Sequence, residues 1–338
     1  GGGGGGAGKG GHGQRHREDH PRTIFCDDGS VYRIRWVSRL HGHHDECLRL
    51  SWGVGVASPF LATAGASGNV ILWDLKSSQQ VGVFYQGEKH QVYVCQFFPE
   101  DGSALLTGHE DLLSMWDVER GLVVGRWQFQ PRLSVQSVPA GGTPGRNDGD
   151  VCFVYGAGTC ARTCTVAAGL SDGSVRIVDP RTGGTVQSFQ AHRGTFVSNV
   201  SYSAHDSNRL ASAGGDGTVK LWDVRQNREN EGCERESATF AGHRGASYGA
   251  AFVRQRKGGN GLFSWGADGA VRTWNTSSSS GGAGSEYFSN GNLTPKLPNR
   301  DYPALWFDAN EEGSLGAVCG GSSGGNQLHH FHLVHLSR

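Results

Sequence analysis

Apolar and polar residues alternate along most of this chain in runs of four to seven positions, and each run stops at glycine, aspartate or asparagine. The segment Arg209 to Arg225, RLASAGGDGTVKLWDVR, is typical, with two alternating runs joined by a Gly-Gly-Asp-Gly turn. A period of two residues with turns of this kind predicts consecutive antiparallel strands. The pattern therefore predicts an all-β chain of short strands.

The same unit recurs along the sequence. The recurring third-strand segments are GNVILWDL (68–75), DLLSMWDV (111–118), GTVKLWDV (217–224), GAVRTWNT (269–276) and, with Val178 and Phe331 replacing Trp, GSVRIVDP (173–180) and NQLHHFHL (326–333). In four units a histidine precedes the tryptophan by 26 to 31 residues, namely His44, His90, His192 and His243. A Ser or Thr lies four residues before the acid in the turn, so the spacing is that of a structural repeat.

Trp-Asp pairs, a Gly-His lead-in and four short strands per unit resemble the WD-repeat (β-transducin-like) family from about residue 30 onward. The resemblance implies a β-propeller, in which blades pack around an axis so that both faces of each sheet are covered. We count six recognisable units plus the fragment 24–34, and we favour seven blades over six. We expect the N-terminal strand in 30–40 to join the C-terminal blade and close the ring.

The resemblance also implies a hydrogen-bond relay in three repeats, which we expect to be structural. Its predicted members are His192, Ser212, Asp216 and Trp222; His243, Ser264, Asp268 and Trp274; and His90, Thr107, Asp111 and Trp116. A catalytic Ser-His-Asp set would be a single site in one cleft with an oxyanion hole. Three copies at a fixed period argue against catalysis, and we predict that the protein is not an enzyme.

Three repeats depart from this pattern, and the last of them has Phe331 in place of Trp. Ser67 replaces the acid in the first repeat, where His44 is the expected relay histidine. The third repeat has Ala168 and Val178 at two relay positions and no leading histidine. We expect such blades to depend on packing.

Glycine is about twice as frequent as usual, with 55 of 338 residues, partly in low-complexity segments. We predict a disordered basic leader at 1–22 and one propeller domain over 23–338. Polar Gly-, Ser- and Pro-rich stretches predict disordered loop insertions at about 138–150, 225–237 and 275–302. Neutral expansion and partner binding both remain open for these loops.

Composition narrows the class of protein further. Basic and acidic residues balance at 31 each, which argues against a nucleic-acid surface over the whole molecule. No apolar run is long enough to span a membrane, and the eight cysteines contain no CxxC pair, so we expect an intracellular protein of the cytoplasm, the nucleus or both. We expect no cofactor, and no metal at the histidines 41, 43 and 44 or 329, 330, 332 and 335, because neither cluster has a Cys or carboxylate at common zinc spacing.

These features predict a non-catalytic scaffold for other proteins, monomeric within a larger complex. The box LASAGGDGTVKLWDVR (210–225) is similar to one in WD-repeat substrate receptors of cullin-RING ubiquitin ligases. That resemblance implies a contact with the damage-specific DNA-binding adaptor protein through Trp222, Asp223 and Arg225. A second alternative is a chromatin- or RNA-associated propeller, for example in ribosome assembly.

Overall fold

A computed structural model gives the fold. It describes residues 22–25, 31–34, 40, 42–44, 47–53, 57, 59–85, 91–98, 102–130, 152–203, 206–225, 236–254, 260–276, 285–286, 304–309, 315–320 and 330–335. The chain divides into two compact units, Gly1–Arg39 and Leu40–Arg338. The domain boundary that we predict at residue 22 stays a prediction, because residues 1–21 lie outside the described part.

The first unit contains one described hairpin. Strand β1 (Arg22–Phe25) pairs antiparallel with β2 (Val31–Ile34), and Arg22 lies opposite Ile34. The sequence between these strands contains Asp27, Asp28 and Gly29, residue types that favour a turn.

The described residues of the second unit form five four-stranded antiparallel sheets, which we call blades 1 to 5, and one three-stranded sheet. Blades 1 and 2 consist of β3 (Cys47–Trp52), β4 (Phe60–Gly65), β5 (Asn69–Asp74) and β6 (Gln79–Tyr85), then β7 (Val94–Phe97), β8 (Ala104–His109), β9 (Leu112–Asp117) and β10 (Leu122–Gln128). Blades 3 and 4 consist of β11 (Val154–Cys160), β12 (Thr165–Leu170), β13 (Ser174–Asp179) and β14 (Gly184–Gln190), then β15 (Val197–Tyr202), β16 (Arg209–Gly214), β17 (Thr218–Asp223) and β18 (Glu236–Ala241). Blade 5 consists of β19 (Ser247–Arg254), β20 (Asn260–Gly266), β21 (Val271–Asn275) and β22 (Ser285–Glu286), and the last sheet of β23 (Ala304–Ala309), β24 (Leu315–Gly320) and β25 (His330–His335).

Strands follow one another across each sheet in chain order, as hairpin-linked antiparallel strands do. Turns between the second and third strands therefore lie at one edge of every blade, together with the start of the first strand; we call this the upper edge. The turns from first to second and from third to fourth strand lie at the opposite, lower edge. Glycines at the upper turns, such as Gly173 and Gly217, have φ of 79° and 76°, which side chains with a Cβ rarely adopt.

Consecutive blades bury their apolar faces against each other. An aromatic ring from the outer strand of one blade covers the tryptophan of the next: Phe84 lies 5.4 Å from Trp116, and Phe189 lies 4.8 Å from Trp222. Each covered tryptophan is less than a tenth exposed. Burial of one such side chain stabilises a fold by roughly 2–3 kcal/mol. Because these side chains lie between consecutive blades, the hydrophobic core lies there too.

The second unit is an all-β propeller with five four-stranded blades, and its described residues contain no α-helix. The predicted insertion 138–150 lies outside the described residues, as do most of 225–237 and 275–302. Within those two ranges Glu236 begins β18, and Ser285 and Glu286 form β22.

Candidate functional site

Blades 4 and 5 each hold a chain of four hydrogen-bonded polar side chains, in which the Trp, Ser and His side chains are buried and Asp216 is 32 % exposed. In blade 4, Trp222 Nε1 donates to Ser212 Oγ at 2.9 Å, and Ser212 Oγ lies 2.9 Å from His192 Nε2. His192 Nδ1 lies 3.0 Å from a carboxylate oxygen of Asp216. The indole N–H can only donate, so the hydroxyl accepts from it and donates its own hydrogen bond to Nε2. In this arrangement the imidazole carries its proton on Nδ1. The Nδ1–H group then donates a hydrogen bond to the carboxylate.

Blade 5 repeats this arrangement at the equivalent positions. Trp274 Nε1 donates to Ser264 Oγ at 2.8 Å, His243 Nε2 lies 2.7 Å from that hydroxyl, and His243 Nδ1 lies 2.9 Å from Asp268. Asp268 also accepts from Arg272 Nη2 at 2.9 Å. The Ser212 and Ser264 side chains are fully buried, so no substrate can reach either hydroxyl as a nucleophile.

Both carboxylates are held ionised. Burial works against the charge of Asp216, but the hydrogen bonds from His192 and Thr218 outweigh it and lower its pKa from 3.8 to about 2. Burial likewise opposes the charge of Asp268, and the bonds from His243, the Arg244 amide and Arg272 bring its pKa well below the usual range. An ionised acceptor strengthens the bond from the imidazole.

Blade 2 contains part of the predicted set. Trp116 Nε1 donates to Thr107 Oγ1 at 2.7 Å, whereas the Asp111 carboxylate accepts from Gln128 at 2.9 Å. His90 lies outside the described residues.

In blade 1 the histidine differs from the expected one. His43 Nε2 lies 2.8 Å from Thr63 Oγ1, which also accepts from Trp73 Nε1 at 2.7 Å, whereas His44 is exposed. The assignment of His44 is therefore wrong. The pair Gly42-His43 matches Gly242-His243, and this spacing is the signal that could have identified His43.

Blade 3 replaces the relay with an arginine that the sequence reasoning missed. Ala168 and Val178 stand where blade 4 has Ser212 and Trp222, as their strand registers indicate. The Arg176 guanidinium lies 3.4 Å from Asp172, donates to the Gln130 carbonyl of blade 2 and lies 5.6 Å from the centre of the Phe129 ring. Asp172 thus keeps the acid of the repeat. Its partner Arg176 also donates a hydrogen bond to the Gln130 carbonyl, just after β10.

At the lower edge of blade 4, Arg225 is an exposed cation held in a fixed position. Its Nε and Nη2 donate to the two carboxylate oxygens of Asp223 at 3.0 and 2.6 Å. The side chain remains 63 % exposed, and three of its five N–H donors are left for a partner. The Arg225 side chain lowers the pKa of Asp223, which stays ionised. Trp222 itself is buried, so a partner at this edge meets Arg225 and not the indole.

Blade 3 has an equivalent pair. Arg181 Nε and Nη2 donate to Asp179 at 3.0 and 2.8 Å, and the arginine is 67 % exposed. In blade 1 the matching residue is Lys76, whose amide bonds to Asp74. Two neighbouring blades therefore present a preorganised guanidinium at the lower edge, and the Asp-Pro-Arg sequence of the second one is the signal that the sequence analysis missed.

Known proteins share these repeats. The family model described as WD domain, G-beta repeat matches residues 183–223, from the outer strand of blade 3 to the tryptophan strand of blade 4. Residues 183–223 thus match a WD repeat, and the chain is similar to WD-repeat proteins.

Three known proteins are similar to the chain over part of its length. The chain is 30 % identical over 130 residues to the ribosome biogenesis protein WDR12 homolog of Chlamydomonas reinhardtii, covering 37 % of the chain and 29 % of that protein. It is 27 % identical over 183 residues to the periodic tryptophan protein 1 homolog of Drosophila melanogaster, covering 54 % and 36 %. It is 26 % identical over 193 residues to the DDB1- and CUL4-associated factor 11 homolog of Caenorhabditis elegans, covering 56 % and 32 %. The chain thus spans about a third of the length of these relatives.

The described ranges show neither a metal-binding cluster nor a membrane-spanning helix. These residues contain no group of three or more His, Cys, Asp or Glu side chains that could hold a metal ion. Of the histidines in the two sequence clusters, His41 and His329 lie outside the description, and the side chains of His330, His332 and His335 are not described. No helix in the described part of the chain is both long and apolar enough to cross a bilayer.

Proposed function

We propose that this WD-repeat propeller is a non-catalytic scaffold that binds other proteins. The observation that carries the proposal is that the Ser and His side chains of the recurrent sets are buried inside blades 4 and 5, while Arg225 at the lower turn of blade 4 is exposed. Rigid blades with exposed turn residues are suited to recognition, because little conformational entropy is lost on binding. The protein would work in the cytoplasm or nucleus as one copy within a larger complex.

Affinity purification of the tagged chain with quantitative mass spectrometry tests this function. We expect at least one partner at near-equal molar amount, and elution of the chain in a complex larger than its 36.0 kDa mass during size-exclusion chromatography of extracts. Elution as a free monomer from every extract, with no stoichiometric partner, would contradict the scaffold function.

A more specific candidate is a substrate receptor of a cullin-RING ubiquitin ligase. Arg225, fixed by Asp223, and Arg181, fixed by Asp179, support this candidate, because a preorganised guanidinium loses little freedom when it bonds to a carboxylate or carbonyl. The name of one relative refers to association with DDB1 and CUL4.

The test is co-purification with the DDB1 adaptor. We expect Arg225→Ala and Arg225→Asp to reduce adaptor recovery at least tenfold, and Arg181→Ala to reduce it less. Arg162→Ala is the matched control, since Arg162 is an exposed arginine at the same edge of blade 3. Recovery that is equal for all variants and the unaltered protein would end this candidate.

Ribosome assembly is the second candidate, and the name of another relative refers to ribosome biogenesis. The neutral net charge favours a role through protein contacts or through one local patch on RNA. Gradient sedimentation of extracts tests it: we expect co-migration with pre-ribosomal particles that is lost as salt rises from about 50 to about 200 mM if phosphate contacts dominate. Sedimentation only at the top of the gradient would contradict this role.

We also propose that the complete ring has seven blades and is closed by the N-terminal strand in the last blade. The last sheet of the second unit has three described strands, one fewer than the blades before it, which leaves a place for a fourth. The face of blade 1 that points away from blade 2 exposes Leu50 by 41 % and Trp52 by 58 %. The equivalent residues of blade 4, Val200 and Tyr202, are 2 % and 9 % exposed beneath blade 3. A closing blade would give blade 1 the same cover.

A further inference from the structure

A row of aromatic rings crosses blades 2, 3 and 4 at the upper edge. The Tyr155 ring centre lies 5.3 Å from that of Tyr93 and 5.5 Å from that of Phe196, with interplanar angles of 80° and 70°. Phe153 stacks beside Tyr155 at 6.2 Å and 11°. All four side chains are half-buried, so the row keeps part of its surface in solvent.

Backbone hydrogen bonds fix this row beside the upper turns. The Tyr93 amide donates to the Gly108 carbonyl, the Ser171 amide donates to the Phe153 carbonyl, and the Gly215 amide donates to the Phe196 carbonyl. Each aromatic residue is therefore attached to the upper turn of its own blade. The rings stand on strands that already form the propeller, so they need not reorganise to meet a partner.

Positive charge lies at one end of the row. Arg193 and Arg244 each follow the buried histidine of their blade, and both are exposed. Among the described residues neither guanidinium forms an ion pair, whereas Asp172, Asp216 and Asp268 at the same edge are bonded to Arg176, His192 and His243. Arg272 balances the charge of Asp268, whereas the neutral His192 leaves Asp216 ionised, so Arg193 and Arg244 make the net charge of these groups positive by one.

The other end of the row has the opposite sign. Glu110 and Asp111 form the upper turn of blade 2, and the Glu110 carbonyl accepts from the Val154 amide, next to Phe153 and Tyr155. A ligand along the row would meet carboxylates first, aromatic rings next and guanidinium groups last. This order favours a ligand whose negative groups lie at the guanidinium end of the row. It therefore also sets the direction in which the ligand lies along the row.

We propose that this upper edge binds an acidic peptide segment, with an aromatic or aliphatic side chain on Tyr155 and Phe196 and carboxylates at Arg193 and Arg244. The inference rests on the proposed scaffold function and names the chemistry of one partner. Arginine matches a carboxylate by paired hydrogen bonds, and aromatic rings provide apolar contact area at low entropic cost.

A single-stranded RNA fits this surface less well. The rings pack edge against face, which reduces the area available for base stacking. Two guanidinium groups are few for a continuous phosphate backbone, and the carboxylates of the blade 2 turn would repel it.

Selection from a random 12-residue peptide library displayed on phage, with the immobilised full chain as bait, tests the proposal. We expect selected peptides to be enriched in Asp and Glu next to Phe, Tyr, Trp or Leu. The most enriched peptide, synthesised with fluorescein, then gives dissociation constants by fluorescence polarisation. We expect Arg193→Glu/Arg244→Glu to weaken binding at least tenfold, and a serine in place of the peptide's aromatic residue to do the same.

The matched control is Arg120→Glu/Arg162→Glu, which changes the charge equally with two exposed arginines of the lower edge; it should change the dissociation constant less than twofold. Circular dichroism and melting temperature verify that both double variants fold. Basic or uncharged selected peptides, no enrichment, or equal binding by all variants would overturn the proposal. Tighter binding of a 12-nucleotide polyuridine than of any peptide, lost in Arg193→Glu/Arg244→Glu, would also overturn it in favour of RNA.

The scaffold function can fail independently. Peptides that lose binding only in Arg120→Glu/Arg162→Glu would reject the upper edge and leave the scaffold function standing. Absence of any stoichiometric partner in affinity purification would reject the scaffold function itself.

Discussion

At the scale of single residues, the Ser212 hydroxyl oxygen joins the two halves of the hydrogen-bond relay in blade 4. It accepts from Trp222 and lies within hydrogen-bond distance of His192, and all three side chains are buried. Such a network stabilises only when it is complete, because each buried donor or acceptor without a partner costs roughly 1–3 kcal/mol.

Replacement of Ser212 by alanine should therefore destabilise the fold by about 2–4 kcal/mol, since it leaves the Trp222 N–H and one His192 nitrogen unsatisfied. Urea unfolding followed by tryptophan fluorescence measures the change. The control is Ser237→Ala, an exposed position on the outer strand of the same blade. Equal unfolding midpoints for the two variants would contradict the role that we give to Ser212.

The pKa of Asp216 gives the fold a pH dependence. Because its folded-state value of about 2 lies below the ordinary 3.8, its stabilisation is complete above pH 3.8 and is lost as the pH falls toward 2. Asp216→Asn should remove that dependence. Between about pH 5.5 and about pH 3 the unaltered protein should lose roughly 0.5–1 kcal/mol more than the variant, a value reduced for solvent screening of a carboxylate near the surface.

Chemical denaturation at the two pH values measures this difference. Glu119→Gln, an exposed position at the lower edge of blade 2, is the control and should behave as the unaltered protein does. An Asp216→Asn curve parallel to that of the unaltered protein across this range would contradict the assignment.

At the scale of elements, the inner strands of blades 3 and 4 approach too closely for any side chain on β11 at Gly156. A Cβ there would lie 2.6 Å from the Asn199 Cα and 2.7 Å from the Ser198 carbonyl oxygen, both backbone atoms of β15. The approach brings the Tyr155 and Phe196 rings within 5.5 Å of each other. Packing between these strands and the aromatic row of the upper edge therefore depend on the same glycine.

Gly156→Ala should destabilise the fold by about 1–3 kcal/mol, because the backbone of one strand has to move. Gly82→Ala on the outer strand of blade 1 is the matched control, since its Cβ would meet only Leu72 Cβ at 3.9 Å, an ordinary contact. Thermal unfolding of both variants tests the difference. Equal melting temperatures would mean that β11 and β15 can separate at no cost.

Blade 3 illustrates how an element compensates for lost residues. Its sequence lacks the histidine, hydroxyl and tryptophan, from which we predict a blade that depends on packing. Arg176 instead joins Asp172 to the Gln130 carbonyl and the Phe129 ring of blade 2. Gln130 follows β10 as His192 follows β14, so the polar network of blade 3, like that of blade 4, reaches the segment through which the chain enters the blade.

At the scale of the whole molecule, the proposed closure of the ring predicts how stability depends on the N-terminal residues. Deletion of residues 1–39 should lower the free energy of unfolding by several kcal/mol, since burial of Leu50 and Trp52 alone is worth about 2–4 kcal/mol. Deletion of 1–21, which ends before β1, is the control and should have little effect. Differential scanning calorimetry of the two deletions tests the closure, and identical melting temperatures would reject it.

Most of the strands and turns can be predicted from the sequence. The hydrogen-bond partners of individual side chains are harder to predict. Alternating residues in Thr218–Asp223 and the Gly-Asp-Gly turn before them predict a hairpin, because side-chain alternation and turn formation depend on residues close in the chain. The distinction between His43 and His44 cannot be made in this way from the alternation alone, since either neighbour can follow the same turn. The match of Gly42-His43 to Gly242-His243 favours His43, and its 2.8 Å distance to Thr63, twenty residues away in the chain, decides it.

The sequence by itself determined the repeated four-stranded unit, the family and the residue types of the buried relay, because those depend on local periodicity and on spacings within one repeat. The tertiary structure decided which groups meet across blades: Arg176 with Gln130, and Tyr93 with Tyr155 and Phe196. It also decided that Arg225 is held by Asp223 while Trp222 is buried. Contacts between blades join residues some 40 to 60 positions apart, and their geometry is set by the packing of whole sheets, which no local pattern records.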